Sequence, residues 1–246
     1  MSEGESPDWV RDGLRQLADE VRLFLRTVVE FTLHPARFGR EWTSGARHAL
    51  NPLGFLATAL AVAGPVNVLF AHLVRSSDEP LSLWREALAA VTPFGYYLAL
   101  GALQHAVLRA FGSRRRLRDS CAMALYAGGG PALIAHILVL TIAVGLYRAT
   151  GQLSANDLHR PAELAVILGA MLSFGLFLAC LSIAQGGLHA RYGVRSWHIT
   201  VANFVALLVT ASFFALVRPP GQFGLHLVLG PSFDHGAWHF SWSLSD

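Results

Sequence analysis

The chain has 246 residues, 53% of them hydrophobic and only 14% charged, with a formal net charge of +3. A soluble domain carries about 25% charged residues, so this composition excludes an ordinary soluble globular domain. All 19 basic residues are arginines standing in clusters between apolar runs, so the basic balance marks loops of a membrane protein and not a nucleic-acid surface.

The N-terminal region, residues 1–51, reads as a separate cytoplasmic element. It is acidic at its start, with no short apolar stretch behind a basic one, so no signal peptide is expected. Ser6 and Pro7 have the chemistry of an N-cap and a first helical residue. Val10, Leu14, Leu17, Val21, Phe24, Val28 and Phe31 come next in steps of four and three, forming one apolar stripe. Arg11, Arg15, Arg22 and Arg26 project within about 60° of one another beside it. The helix should end before Pro35, because the residue ahead of proline resists helical geometry. Two placements fit: flat in the inner membrane interface with arginines at the headgroups, or paired as a short coiled coil. Phe38 and Trp42, four apart among arginines, favour the interface and read as a belt pair at the membrane surface.

Five windows then lack Asp, Glu, Lys and Arg: His48–Val74, Ala87–Leu108, Ser120–Tyr147, Leu164–Ala190 and Ser196–Val217. Each meets the roughly 20 residues that a helix needs to cross a bilayer. Too little polar chain remains to bury all five, so residues 52–217 predict an all-α, five-helix transmembrane domain. Arginines concentrate before the first span and in the second and fourth loops, at Arg114, Arg115, Arg116, Arg118, Arg191 and Arg195. The positive-inside rule puts these segments and the N-terminus in the cytoplasm, and the C-terminus outside. An inner bacterial membrane fits this layout, and the Arg114–Arg118 cluster suits anionic lipid headgroups or a protein partner.

Within the spans, Asn51-Pro52 caps the first, and prolines interrupt the first and second at Gly64-Pro65 and Thr92-Pro93. Asp119-Ser120 starts the third, which meets Gly128-Gly129-Gly130-Pro131 soon after Tyr126. Glycine weakens a helix by about 1 kcal/mol and proline by about 3, so this span should bend or unwind there, where another backbone can come close. Ala165, Gly169 and Ser173 recur every four residues in the fourth span, a seam for packing within the monomer or between two copies. The tail, residues 218–246, is rich in aromatics and histidine, too short for a sixth span, and belongs outside.

Chemistry-bearing residues are few. His136 falls near the midplane of the third span, a position that marks function or a hydrogen bond to Asn67, Gln104 or Asn203. Gln104, His105, Gln185 and His189 gather toward the inner ends of the second and fourth spans, in reach of one polar cluster. No Asp or Glu lies in a span, which argues against an ion-coupled pump. His235 and His239 stand four apart, but without a HExxH glutamate and beside Gly236 they predict no metal site. Cys121 and Cys180 show no disulfide or zinc spacing. Ser173 and His189 share a span more than four turns apart, too far for a dyad. No enzyme and no cofactor is expected.

The stretch LQHAVLRAFGSRRRLRDSCAMALYAGGGPALI ends a span in Leu-x-His-x-x-x-Arg and opens the next with Tyr-Ala and a later Gly-Pro. It resembles bacterial members of the Yip-domain family, whose eukaryotic relatives interact with Rab-type GTPases. The layout is similar too: a cytosolic N-terminal part, five spans and a short far-side tail, the likeness covering roughly residues 51–217. The resemblance implies structural roles for Tyr126, Gly130 and Pro131. The acidic-aromatic Asp-Leu-Tyr-Gly-Pro motif of the eukaryotic members is absent, so GTPase binding does not transfer. The expected function is that of a non-enzymatic membrane adaptor or organiser. The alternative is a small-solute permease lined by the broken helices, with His136 at its centre.

Overall fold

The structure, a computed structural model, describes residues 8–42, 49–74, 83–131, 133–134, 137–138, 141–142, 160–217, 230–234 and 237–241. It is a helical protein. The helices are α1 (Asp8–Leu33), α2 (Pro35–Trp42), α3 (Pro52–Val74), α4 (Leu83–Ala110), α5 (Leu117–Gly129), α6 (Arg160–His189) and α7 (Ser196–Val217). Among the described residues one helix is long and apolar enough to cross a membrane, at Ser196–Phe213 of α7, with a shorter apolar stretch at Pro52–Ala63.

Local chemistry explains several boundaries. α1 ends at Leu33 and Pro35 opens α2, which spares a proline its missing N–H. Asn51 caps α3, its Oδ1 accepting from the Leu53 amide at 3.1 Å. α5 begins at Leu117, two residues before the expected start at Asp119. Asp119 instead reaches back from the first turn, its Oδ2 accepting from the Arg116 amide at 3.4 Å. The backbone stays helical through Gly64-Pro65 in α3 and past Pro93 in α4. Among the described residues the glycine run does break its helix: α5 stops at Gly129, Gly130 turns with φ −102° and ψ −86°, and helical residues resume at Pro131.

That break permits close approach, as expected. A Cβ at Gly129 would come within 2.8 Å of the Phe55 ring, and one at Gly128 would overlap the ring of Tyr97. α4 and α5 touch in the same manner, since a Cβ at Gly101 would lie 2.6 Å from Cys121 Cα. α7 packs on α4, while α3 packs on α5.

Two expectations are corrected. The N-terminal region is not a separate element: α1 packs with Phe24, Val28 and Phe31 in the main core, and α2 lies tightly on α6. Phe38 and Trp42 are not a surface belt pair, because Phe38 is fully buried and Trp42 is half-buried against the core. The reason is steric as well as hydrophobic. A Cβ at Gly39 would overlap the Ala184 carbonyl and one at Gly187 would overlap that of Ala36, so the two backbones touch. The fold also adds strands to the expected all-α design. Gly230–Asp234 (β1) and Ala237–Ser241 (β2) pair antiparallel, with Pro231 opposite Phe240 and Ser232 opposite His239.

Candidate functional site

The site is built where α1, α2, α4, α5, α6 and α7 converge on the arginine-bearing end of the bundle. Its first part is aromatic. Tyr126 is fully buried, with Phe38, Phe55, Trp42 and Phe31 rings at 4.9, 5.2, 5.5 and 5.8 Å between centroids. Edge-to-face and stacked geometries of this kind add to the apolar burial. The Tyr126 hydroxyl donates to the Leu50 carbonyl. Trp42 Nε1 donates to Asp119 Oδ1 at 3.3 Å, which ties the end of α2 to the start of α5. One tyrosine thereby joins both N-terminal helices, the entry to α3 and the glycine break.

The second part is polar. Gln104 Nε2 donates to Asn203 Oδ1 at 2.5 Å, and Asn203 Nδ2 donates to Ser182 Oγ at 2.6 Å. Gln185 Nε2 donates to Gln104 Oε1 at 3.2 Å. Gln104, Gln185 and Asn203 are all buried, so α4, α6 and α7 are linked by a chain of amides. Buried amides left without partners are costly, which makes such a chain specific for one packing arrangement. Gln185 Oε1, Ser120 Oγ and His189 Nε2 have no hydrogen-bond partner among the described residues.

The third part is the arginine loop. Ser113 Oγ and His189 Nδ1 are hydrogen-bonded at 3.1 Å, both residues buried. Arg115 Nε donates to the Leu188 carbonyl at 2.9 Å, and its guanidinium lies 4.6 Å over the Tyr192 ring. Arg115 thus caps the end of α6, where a cation also meets the negative pole of the helix. Gly112 at φ +89° and Gly193 at φ +69° supply the left-handed turns of the two adjoining loops. Arg114, Arg116 and Arg118 are exposed, as are Arg191 and Arg195. On α2, Arg37 donates to Glu41 Oε1 at 2.5 Å, and this pairing pushes its pKa above that of an ordinary arginine.

Of Gln104, His105, Gln185 and His189, the structure bonds Gln104 to Gln185, while His189 bonds to Ser113; Gln104 also pairs with Asn203, a pairing the sequence did not indicate. His105 is half-buried outside the amide chain, with no hydrogen-bond partner for Nδ1 among the described residues. Tyr126, Gly130 and Pro131 are buried and occupy the hub and the break. His136 lies outside the described residues. Asn67, Ala165, Gly169 and Ser173 stand on helical backbone, with side chains outside the described set. Arg11, Arg15, Arg22 and Arg26 are exposed on α1; Arg15 pairs with Asp12 at 3.9 Å and Arg26 with Glu30 at 2.9 Å. His239 sits on a strand and His235 lies outside the described residues. No group of three or more His, Cys, Asp or Glu gathers for a metal among the described residues. Sequence reasoning missed Ser113, Ser182 and the Leu50 carbonyl. No spacing rule marks them, because each is recruited across loops or helices distant in the chain.

Compared with protein families, curated proteins and solved structures, the chain matches none.

Proposed function

We propose that the protein is a five-span integral membrane protein that acts without catalysis, as an adaptor or organiser at its basic inner face. One observation carries this reading: α7 buries small and polar side chains and turns large apolar ones outward, and α6 likewise exposes large apolar residues. On α7, Val201, Phe204, Leu208 and Phe213 point outward, Phe204 with 66% exposure, while Ala202, Asn203, Ala206 and Thr210 are buried. On α6, Leu172 is 73% exposed and Gln185 is fully buried. Water penalises contiguous apolar surface of this extent, whereas hydrocarbon favours it and leaves small and polar residues to hold helices together. The lengths of α3, α4, α6 and α7, at 23, 28, 30 and 22 residues, also suit spans. The third window, broken at Gly130, supplies the fifth.

The exposed arginines at Arg114, Arg116, Arg118, Arg191 and Arg195 suit an inner face that meets anionic headgroups or an acidic protein surface. The likeness to the Yip-domain family belongs to the same proposal; the positions it singles out, Tyr126, Gly130 and Pro131, are buried. Against a small-solute permease, Gln104, Gln185 and Asn203 spend amide groups on one another inside the bundle.

The test is topology. Reporter fusions after residues 46, 78, 116, 155, 193 and 246 should alternate in, out, in, out, in, out. A reporter pattern without that alternation overturns the five-span reading. Purification of the full chain in native-lipid nanodiscs, with mass spectrometry of what accompanies it, then tests the adaptor role. A stoichiometric protein partner lost in the Arg114→Gln/Arg116→Gln/Arg118→Gln variant supports it, and loss of solute flux in His136→Ala supports the permease instead.

A further inference from the structure

The bundle uses only part of the apolar surface of α1. Phe24, Val28 and Phe31 are buried against it, and Thr27 beside them is buried too. Leu17, Val21, Leu25, Val29 and Leu33 remain outside, at 57, 46, 56, 52 and 66% exposure. These five recur at steps of four. At about 100° per residue each step advances the ridge by about 40°, so it spreads over a sector of about 160°.

We infer that this ridge lies in the boundary between headgroups and acyl chains of a phospholipid bilayer, holding α1 flat beside the bundle. The inference rests on the membrane reading above. Three observations select a bilayer as the occupant. First, the ridge is too wide and too slanted for one partner helix. A coiled coil needs alternating steps of three and four; of the stripe with that spacing, Phe24, Val28 and Phe31 face the bundle and Leu17 and Val21 stay exposed, which leaves too short a seam. A fluid hydrocarbon surface has no such requirement. Second, the exterior is apolar on both sides of α1. Phe24 contacts Phe55 of α3 at 5.2 Å, and α3 exposes Leu53 and Val62; the Thr32 carbonyl accepts from Cys180 Sγ of α6, which exposes Phe174 and Leu176. Third, the charges are sorted. Arg11, Arg15, Arg22 and Arg26 share the edge of the sector farthest from Phe24 and Phe31, where their aliphatic stems can cover apolar surface and their guanidinium groups can reach phosphates. Asp12, Asp19 and Glu30 lie just beyond that edge, on the side away from the ridge, and Glu20 stands apart from them near the bundle-facing side.

The experiment is a depth measurement on the full chain. Nitroxide labels go on Val21→Cys, Leu25→Cys and Val29→Cys, with Gln16→Cys on the polar face and Leu208→Cys on α7 as references, in a Cys121→Ser/Cys180→Ala background. The protein is placed in nanodiscs of phosphatidylcholine and phosphatidylglycerol. Collision with oxygen should exceed collision with a water-soluble nickel chelate several-fold at 21, 25 and 29, and the order should reverse at 16. Nickel-accessible labels at 21, 25 and 29 with an oxygen-accessible label at 208 overturn the inference and leave the membrane reading standing. Nickel access at 208 as well overturns both. Labels at 21, 25 and 29 shielded from both probes, with dipolar broadening, overturn it in favour of a second copy.

Discussion

The hydroxyl of Tyr126 on α5 donates to the backbone carbonyl of Leu50, 76 residues earlier, just before α3 begins. The same ring is packed by Phe31 of α1 and by Phe38 and Trp42 of α2. A single side chain therefore couples the N-terminal helices to the helix that breaks at Gly130.

Removing the hydroxyl and removing the ring should separate cleanly. Tyr126→Phe keeps the ring contacts and loses one hydrogen bond, at a cost of about 1 kcal/mol. Tyr126→Ala also opens a cavity among four aromatic rings, at about 3–5 kcal/mol. Thermal unfolding of the purified protein in a mild detergent measures both. Equal losses would mean that the hydrogen bond and not the ring holds the hub.

Glycine substitutions should divide by location. Gly39→Ala and Gly187→Ala each drive a methyl group into the facing backbone, at Ala184 and Ala36, which cannot rotate away. Overpacking of this kind costs about 1–3 kcal/mol or more. Gly13→Ala and Gly175→Ala meet nothing within 4 Å and should be neutral or stabilising by up to about 1 kcal/mol. The same unfolding assay decides, and a stable Gly39→Ala variant would refute the direct contact of α2 with α6.

The amide chain should be non-additive. Asn203→Leu strands Gln104 Nε2 and Ser182 Oγ, and Gln104→Leu strands Asn203 Oδ1 and Gln185 Nε2. Each should cost about 1–3 kcal/mol, and the double variant should cost less than the sum. A double-mutant cycle in nanodiscs reads the coupling, for which membrane interiors average about 0.6 kcal/mol. Strict additivity would mean that the two amides do not share a bond.

Arg115 should differ from its neighbours. Arg115→Ala removes the donor to the Leu188 carbonyl and the contact with Tyr192. Amide hydrogen exchange should then rise across residues 112–116 and 190–192. Arg114→Ala and Arg118→Ala should leave exchange unchanged, because both side chains are exposed. Equal effects from all three would show that the loop is held by overall charge and not by one anchored guanidinium.

Much of the secondary structure was legible in local chemistry. Pro35 ended α1, Asn51-Pro52 opened α3, and the run Gly128–Pro131 broke its helix, because proline geometry, side-chain capping and glycine entropy act within a few residues. That Gln104 and Asn203 need partners was legible, since buried amides require them, but not that they would bond to each other across α4 and α7.

Tertiary structure alone decided which surfaces are inside. The periodicity of α1 marks an apolar stripe without naming what covers it; the rings of Tyr126 and Phe55 claim Phe31 and Phe24 and leave Leu17 and Val21 exposed. Phe38 and Trp42 have the composition of a membrane belt, yet Gly39 and Gly187 let two backbones touch and draw both aromatics inward. Arg115 is chemically identical to Arg114, and only the position of the Leu188 carbonyl across the loop sets them apart. Each of these outcomes depends on groups far apart in the chain meeting in space, which no local rule about spacing or propensity contains.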